Sequence, residues 1–197
     1  MSRTLVFATH NAHKVQEVRQ ILEGSGIQVQ SLADLGFHED PPETGDTFEA
    51  NALQKARFVA ERLGQPCIAD DSGLEVDALD GAPGVHSKRY TPEATAPANN
   101  AKLLTALEGH VDRTARFRCV LALVDGAQQG TVSGACEGHI LERLSGEGGF
   151  GYDPLFGPQE APGRSMAELT PEEKNAISHR GRAFRQLPQL LRQVQTP

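Results

Sequence analysis

The sequence predicts an α/β fold built on a mixed β-sheet flanked by helices, and three observations predict it. A short apolar run, Thr4 to Ala8, leads through a polar loop into helical spacing at Val15, Val18, Ile21 and Leu22. A second apolar run enters Ile68 to Leu74, I-A-D-D-S-G-L, and delivers two adjacent carboxylates to its end. Consecutive alternating stretches between Thr114 and Leu141 pair as neighbours and add an antiparallel portion. A chain of 197 residues suits one domain, 1–197, with room for two lobes.

Taken in order, Thr4–Ala8 reads as a strand and Thr9–Lys14 as the loop after it, with the helix running from Lys14 to Gly24. Ile27 to Leu32 alternates and partners the first strand, and a loop rich in acids, Pro and Gly spans Asp34 to Asp46. Asp46 with Glu49 resembles a capping box for a helix that ends at Leu63 and closes on Gly64. Phe48, Ala52, Ala56, Val59, Ala60 and Leu63 form its inward stripe. Gln65 to Ala69 reads as a short buried strand, Gly73 to Leu79 as a strand or hairpin, and Gly81-Ala82-Pro83-Gly84 as a turn into the basic loop Gly84–Tyr90. A helix follows over Asn99–Leu107, then a strand over Thr114–Asp125. Gln129–Leu141 reads as two strands broken near Gly134 or Gly138. Thr170-Pro171-Glu172-Glu173 starts a helix, Ser178-His179-Arg180-Gly181 interrupts it, and Pro188 kinks or splits the last one.

Composition excludes several classes. The net charge of -7 speaks against a nonspecific grip on nucleic acid, so a polyanionic ligand would need a local cluster of cations or a metal. No stretch approaches the roughly 20 apolar residues of a membrane span, and Met1–Ala8 does not read as a leader. Cys67, Cys119 and Cys136 are odd in number and form no C-x-x-C pair, which suits reduced thiols in a cytoplasm rather than zinc or disulfides.

Buried carboxylates need a charged partner. Asp70 and Asp71 therefore point to a divalent cation with a phosphate behind it, although Asp, Ser and Gly are also ordinary turn residues. Lys14 stands in a first helical turn, against the dipole; a bound phosphate would explain it, and so would plain solvation. Asn51 and Lys55 lie four apart beside an apolar stripe, either facing Asp71 or edging the helix. Glycines around Phe150 and Tyr152 suit backbone lying against a flat ligand, or a tight turn.

Together these stretches resemble the inosine/xanthosine triphosphate pyrophosphatase family. The matching segments are A-T-H-N-A-H-K (8–14), E-T-G-D-T-F-E-A-N-A (43–52), I-A-D-D-S-G-L (68–74), G-A-P-G-V (81–85), G-G-F-G-Y-D-P-L-F (148–156) and A-E-L-T-P-E-E-K-N-A-I-S-H-R-G (167–181). They cover nearly the whole chain in the family's order; His10 and Pro188 depart from its usual pattern.

The resemblance implies a long twisted mixed sheet in two lobes with a nucleotide cleft between them, and a homodimer. It implies hydrolysis of ITP, dITP and XTP to the monophosphate and pyrophosphate, with Mg²⁺, to cleanse the nucleotide pool. Carried over, Thr9, His10, Asn11, Ala12, His13 and Lys14 hold the triphosphate, with Lys55 reaching the same phosphates. Asp71 is the general base and, with Glu43, a metal ligand; Glu39 and Asp40 are alternative acidic-loop ligands, and Asp70 orients Asp71 or a second metal-bound water. Ser72, Phe150, Gly151, Tyr152, Asp153, Lys174, His179 and Arg180 form the base pocket. Lys174 and Arg180 only donate, Asp153 accepts, and together they suit a purine with O6 and N1–H but not adenine. The rivals are a Maf-like pyrophosphatase for pyrimidine or modified nucleotides, a nucleotide-binding sensor without catalysis, and a structural α/β domain.

Overall fold

The structure is a computed structural model, which describes residues 3–195; Met1 and Ser2, part of the stretch read for a leader, lie outside them. Six strands share one sheet in the order β2-β1-β3-β4-β5-β6. These are β1 (Arg3–Phe7), β2 (Ile27–Ser31), β3 (Cys67–Val76), β4 (Thr114–Asp125), β5 (Gln128–Ile140) and β6 (Phe156–Pro158). β1 runs parallel to β2 and to β3, while β6 is antiparallel to β5, so the sheet is mixed, as the sequence predicts. The helices are α1 (Ala12–Ile21), α2 (Phe48–Leu63), α3 (Ala96–Ala106), α4 (Pro171–Ile177), α5 (His179–Phe184) and α6 (Leu187–Gln195). No helix among the described residues is long and apolar enough to cross a membrane.

The chain divides into two compact units, one made of the residues up to Asp71, Cys119–Gly134 and those from Arg180 on, the other of Ser72–Arg118 and Ala135–His179. In the first unit, Leu5, Phe7, Val18, Ile68, Leu121 and Leu123 pack with Phe184, Leu187 and Leu190 from α5 and α6. Phe7 meets Phe184 edge-on, 5.6 Å between ring centroids. Gly130 of β5 lets α6 come close: a Cβ there would lie 2.8 Å from Leu190 Cδ1. In the second unit, Leu74, Val76, Leu103, Leu107, Phe117, Ile140, Leu155 and Phe156 form the core. Phe117 and Phe156 lie 4.6 Å apart.

Several boundaries differ from the sequence reading, each for a local reason. α1 starts at Ala12 rather than Lys14, because the Asn11 side chain accepts from the His13 and Lys14 amides and caps the helix. Thr47, not Asp46, caps α2, accepting from Ala50 N. Thr95 caps α3, and Pro97 in the first turn extends that helix upstream of Asn99. β3 is one ten-residue strand, so the two aspartates lie within it and not at its end. β5 is also unbroken. Gly138 is there because a Cβ would stand 2.4 Å from the Gly157 carbonyl oxygen and 2.6 Å from the Phe156 ring, close packing that glycine alone permits. Ser178, in extended backbone, ends α4, and α5 begins at the next residue. Pro188 falls in the first turn of α6, where its missing N–H is harmless, so it separates α5 from α6 and leaves α6 unkinked.

Candidate active site

Successive side chains of a strand point to opposite faces, and the partners of Asp70 and Asp71 differ accordingly. Asp70 is buried. Its Oδ1 accepts from Lys14 Nζ at 3.0 Å and its Oδ2 from Arg180 Nε at 3.2 Å and Nη2 at 3.1 Å. The Cys119 thiol stands 3.8 Å from the same Oδ2. Arg180 also donates through Nη1 to Glu17 Oε2 at 2.7 Å. Asp71 belongs to a second group: Asn51 Nδ2 donates to its Oδ2 at 3.2 Å and Lys55 Nζ to its Oδ1 at 3.1 Å. Lys55 Nζ donates as well to Glu43 Oε1 at 2.6 Å.

These surroundings push the neighbouring carboxyls apart. Burial would raise Asp70, but Lys14, Arg180 and Lys55 outweigh it and hold the carboxyl well below its ordinary range. Burial raises Asp71 as well, and there it prevails over Lys55 and Lys14, with Glu43 adding like charge. Burial lowers the Lys14 ammonium despite Asp70. For Lys55, burial is outweighed by Asp71, Glu43 and Asp70, which raise its pKa. One aspartate is thus a fixed anion and the other a stronger base than an ordinary carboxylate. Such a split is the usual mark of divided roles in acid–base chemistry.

Local sequence explains the placement. Lys14 and Glu17 are one turn apart on α1, so Glu17 meets Arg180 beside the Lys14–Asp70 pair. Gly45 donates to Asn51 Oδ1 at 2.7 Å, which turns the Asn51 amide nitrogen toward Asp71. A Cβ on Gly45 would stand 2.7 Å from the Ala50 Cβ and 3.0 Å from that Oδ1, so the glycine of E-T-G permits the approach. Asn51 and Lys55 are therefore buried on the inner side of α2, facing Asp71, which decides between the two sequence readings.

The second unit holds a separate cluster. Lys174, which lies in the last turn of α4 and not in its first, donates to Asp153 Oδ2 at 2.7 Å with both side chains buried. The same oxygen accepts from Phe150 N at 2.7 Å. Gly149 has φ +68°, and a Cβ on it would stand 2.1 Å from Asp153 Oδ2, so the carboxylate enters a loop only glycine can close. Lys174 Nζ lies 4.8 Å from the centre of the Phe150 ring. Asn100 Nδ2 donates to the Gly151 carbonyl at 3.0 Å, and Tyr152 donates its hydroxyl to Ser87 O at 2.9 Å. The His179 ring stacks on Phe117 at 4.8 Å.

The sequence-selected residues thus fall into two sets. Thr9 accepts from Asn11 N at 3.1 Å and so shapes the turn into α1. His10, Ala12 and His13 are exposed there, and His10 Nε2 lies 3.1 Å from Glu39 O. Lys14, Lys55, Asp70, Asp71, Glu43 and Arg180 converge in the first unit. Ser72, half-buried on β3, belongs to the second unit with Phe150, Gly151, Tyr152, Asp153, Lys174 and His179. The Arg180 guanidinium, a base-pocket donor in the sequence reading, is engaged by Asp70 and Glu17. Glu17, Cys119 and Asn100 were not singled out from the sequence. Glu17, one turn beyond Lys14, and Asn100, on a face shared with Leu103 and Leu107, carried a signal; Cys119 looked like any core thiol.

The donor set also bears on a metal. Glu43 and Asp71 share one cation, the Lys55 ammonium, whereas Glu39 pairs with Arg62 and Asp40 is almost fully exposed. Among the described residues no group of three or more His, Cys, Asp or Glu side chains could enclose a metal by itself. Two carboxylates suit Mg²⁺, which typically completes its shell with waters and substrate phosphates.

Carboxylates and lysines are thus gathered on the mixed sheet of an α/β protein. The comparisons make this specific. The Ham1 family profile matches residues 5–190. A dITP/XTP pyrophosphatase of Porphyromonas gingivalis is 52% identical over 95% of this chain and 96% of its own. Another, of Bacillus subtilis, is 50% identical over 94% and 96%. A HAM1 protein from Coxiella burnetii superimposes with a TM-score of 0.86 at 41% identity, covering 97% of this chain and 99% of that one. The chain belongs to the Ham1 family.

Proposed function

We propose that this protein hydrolyses dITP, ITP and XTP to the nucleoside monophosphate and pyrophosphate. The observation that carries the reading is the split aspartate pair: Asp70 fixed as an anion by Lys14 and Arg180, Asp71 raised and held by Asn51 and Lys55. The names of relatives about half identical over nearly their full length support it.

Asp71 takes a proton from a water molecule and orients its oxygen toward the α-phosphorus. A new P–O bond forms there, the bond to the α–β bridging oxygen breaks, and pyrophosphate leaves with that oxygen. Lys14 and Lys55 bind the phosphates and stabilise the charge that gathers on the leaving group, usually the largest catalytic contribution in such transfers. Asp70 holds Lys14 in position. Glu43 and Asp71 are the residues that would hold Mg²⁺, and when bound it supplies charge neutralisation and Lewis acidity.

Base selection falls to the second unit. Lys174 presents donors and Asp153 acceptors, complementary to the O6 and N1–H of hypoxanthine and xanthine. Adenine offers the reverse pattern and leaves both groups unmet, a loss that discriminates strongly in a dry pocket. Phe150 stacks on the ring, worth about 1–3 kcal/mol. Three buried cysteines, none of them in a disulfide, suit a cytoplasmic enzyme, and a homodimer without nucleic acid as partner completes the reading.

The test is pyrophosphate release from dITP, XTP, dATP, dGTP and dTTP, with Mg²⁺ and with chelator. Metal-dependent turnover of dITP and XTP far above dATP and dTTP is expected. Preferred turnover of dTTP would move the protein to a Maf-like activity, and binding of dITP without turnover would make it a sensor.

A further inference from the structure

We infer that Asn100, on α3, is a positioning residue for base recognition: it fixes the loop from Phe150 to Asp153 through the Gly151 carbonyl. The inference rests on the proposed nucleotide reading and adds to it a residue on a different element.

Four observations carry it. First, Asn100 is buried and its Nδ2 donates to Gly151 O at 3.0 Å, joining residues 51 apart in sequence. Second, Gly151 stands at φ +64° between Phe150, the stacking ring, and Tyr152-Asp153. A carbonyl in a left-handed stretch of a glycine-rich loop has no ladder to hold it, so a side-chain donor defines where the peptide points. Third, the neighbouring Asn99 anchors the same helix to the other support of the loop. Its Nδ2 donates to Ser87 O at 3.3 Å and Lys88 O at 3.1 Å, and its Oδ1 accepts from Thr91 N and Oγ1 at 2.9 and 2.8 Å. Ser87 O also receives the Tyr152 hydroxyl, so two consecutive asparagines brace the residues on either side of the 151–152 peptide.

Fourth, Asn100 Oδ1 is buried and has no hydrogen-bond partner among the described residues. An amide with one end paired and the other stranded is a poor way to stabilise a helix, since an apolar side chain of similar size avoids the stranded acceptor. The residue is explained by direction rather than by stability: only a donor at this point holds the Gly151 carbonyl while Asp153 is engaged by Phe150 N and Lys174.

The experiment compares Asn100→Asp, which keeps the shape but places an acceptor against the carbonyl, with Asn100→Ala, which deletes both ends. Steady-state constants are measured for dITP and dATP, with inorganic tripolyphosphate as a competitive inhibitor to report on phosphate binding alone. For both variants KM for dITP should rise about tenfold or more and the preference for dITP over dATP should shrink. Meanwhile kcat should stay within about threefold of wild type, and the inhibition constant of tripolyphosphate should not move. An unchanged KM and preference in the folded variants would overturn the inference, as would an equal weakening of tripolyphosphate. Failure of both variants to fold would overturn it too, by making Asn100 a core residue. A wild-type protein that does not turn over dITP at all would instead overturn the function on which the inference rests.

Discussion

The two polar clusters of this molecule solve the burial of charge in opposite ways. In the first unit, Lys14, Lys55 and Arg180 are distributed over Asp70, Asp71, Glu43 and Glu17, so Lys55, Arg180 and Asp70 each meet more than one charged partner. In the second, buried Lys174 donates to buried Asp153, whose carboxylate also accepts from a backbone amide, and an aromatic ring lies beside the ammonium. A shared network can give up one contact to an incoming phosphate while its other ion pairs persist, which suits chemistry on phosphates. A cationic donor beside an anionic acceptor has a definite polarity, which suits reading the edge of a base. The difference predicts that damage to the first cluster is felt in stability and turnover, and damage to the second in substrate choice.

The largest effect on stability is expected at Asp70. Asp70→Asn leaves half-buried Lys14 and fully buried Arg180 with less charge against them, a loss on the order of 3–5 kcal/mol by analogy with broken buried pairs. Because the folded carboxyl lies below its unfolded value of about 4, its contribution is complete above that pH and is lost as pH falls through the folded value. Urea denaturation from neutral to acidic pH should therefore show the gap between wild type and variant narrowing only in strong acid. A variant as stable as wild type at neutral pH would break the comparison.

A smaller effect, and one on selectivity, is expected at Lys174. Lys174→Met removes the donor facing O6, and the ratio of kcat/KM for dITP over dATP should fall about 10- to 100-fold, the range of a charge-assisted hydrogen bond. Competition assays with both nucleotides measure it directly; an unchanged ratio would assign base reading elsewhere. The smallest effect concerns the thiols. Burial pushes Cys67 up to about 12 and raises Cys119 as well. The three cysteines should then react with an aromatic disulfide only slowly in the native protein and completely in urea, with enzyme activity little changed during the slow phase.

Much of this was legible in the sequence. The apolar runs around Leu5, Ile68 and Leu121 announced a sheet, and the Thr170–Glu173 capping box located α4 to the residue. What escaped the sequence depends on contacts across the fold. Gly138 reads as a break because its reason, the Gly157 carbonyl and the Phe156 ring, lies on another strand. Asp70 and Asp71 read as one site because adjacency in sequence conceals that strand geometry sends them to opposite faces with separate partners. Nothing local in the sequence reveals Glu17 and Asp70 as partners of Arg180. Asn51 and Lys55 read equally as edge residues until Gly45 and Asp71 are seen to hold them.

The division of labour between the clusters is tested most directly by Asp71→Asn, assayed for turnover and for binding in the same preparation. Turnover of dITP should fall about a thousandfold, within the range for loss of a general base. The acid limb of the pH–rate profile, which reports the raised Asp71 carboxyl becoming ionised, should vanish with it. Calorimetry should find dITP still bound in preference to dATP, because the second unit is untouched. Turnover within tenfold of wild type, or a variant that binds dITP and dATP alike, would contradict the account.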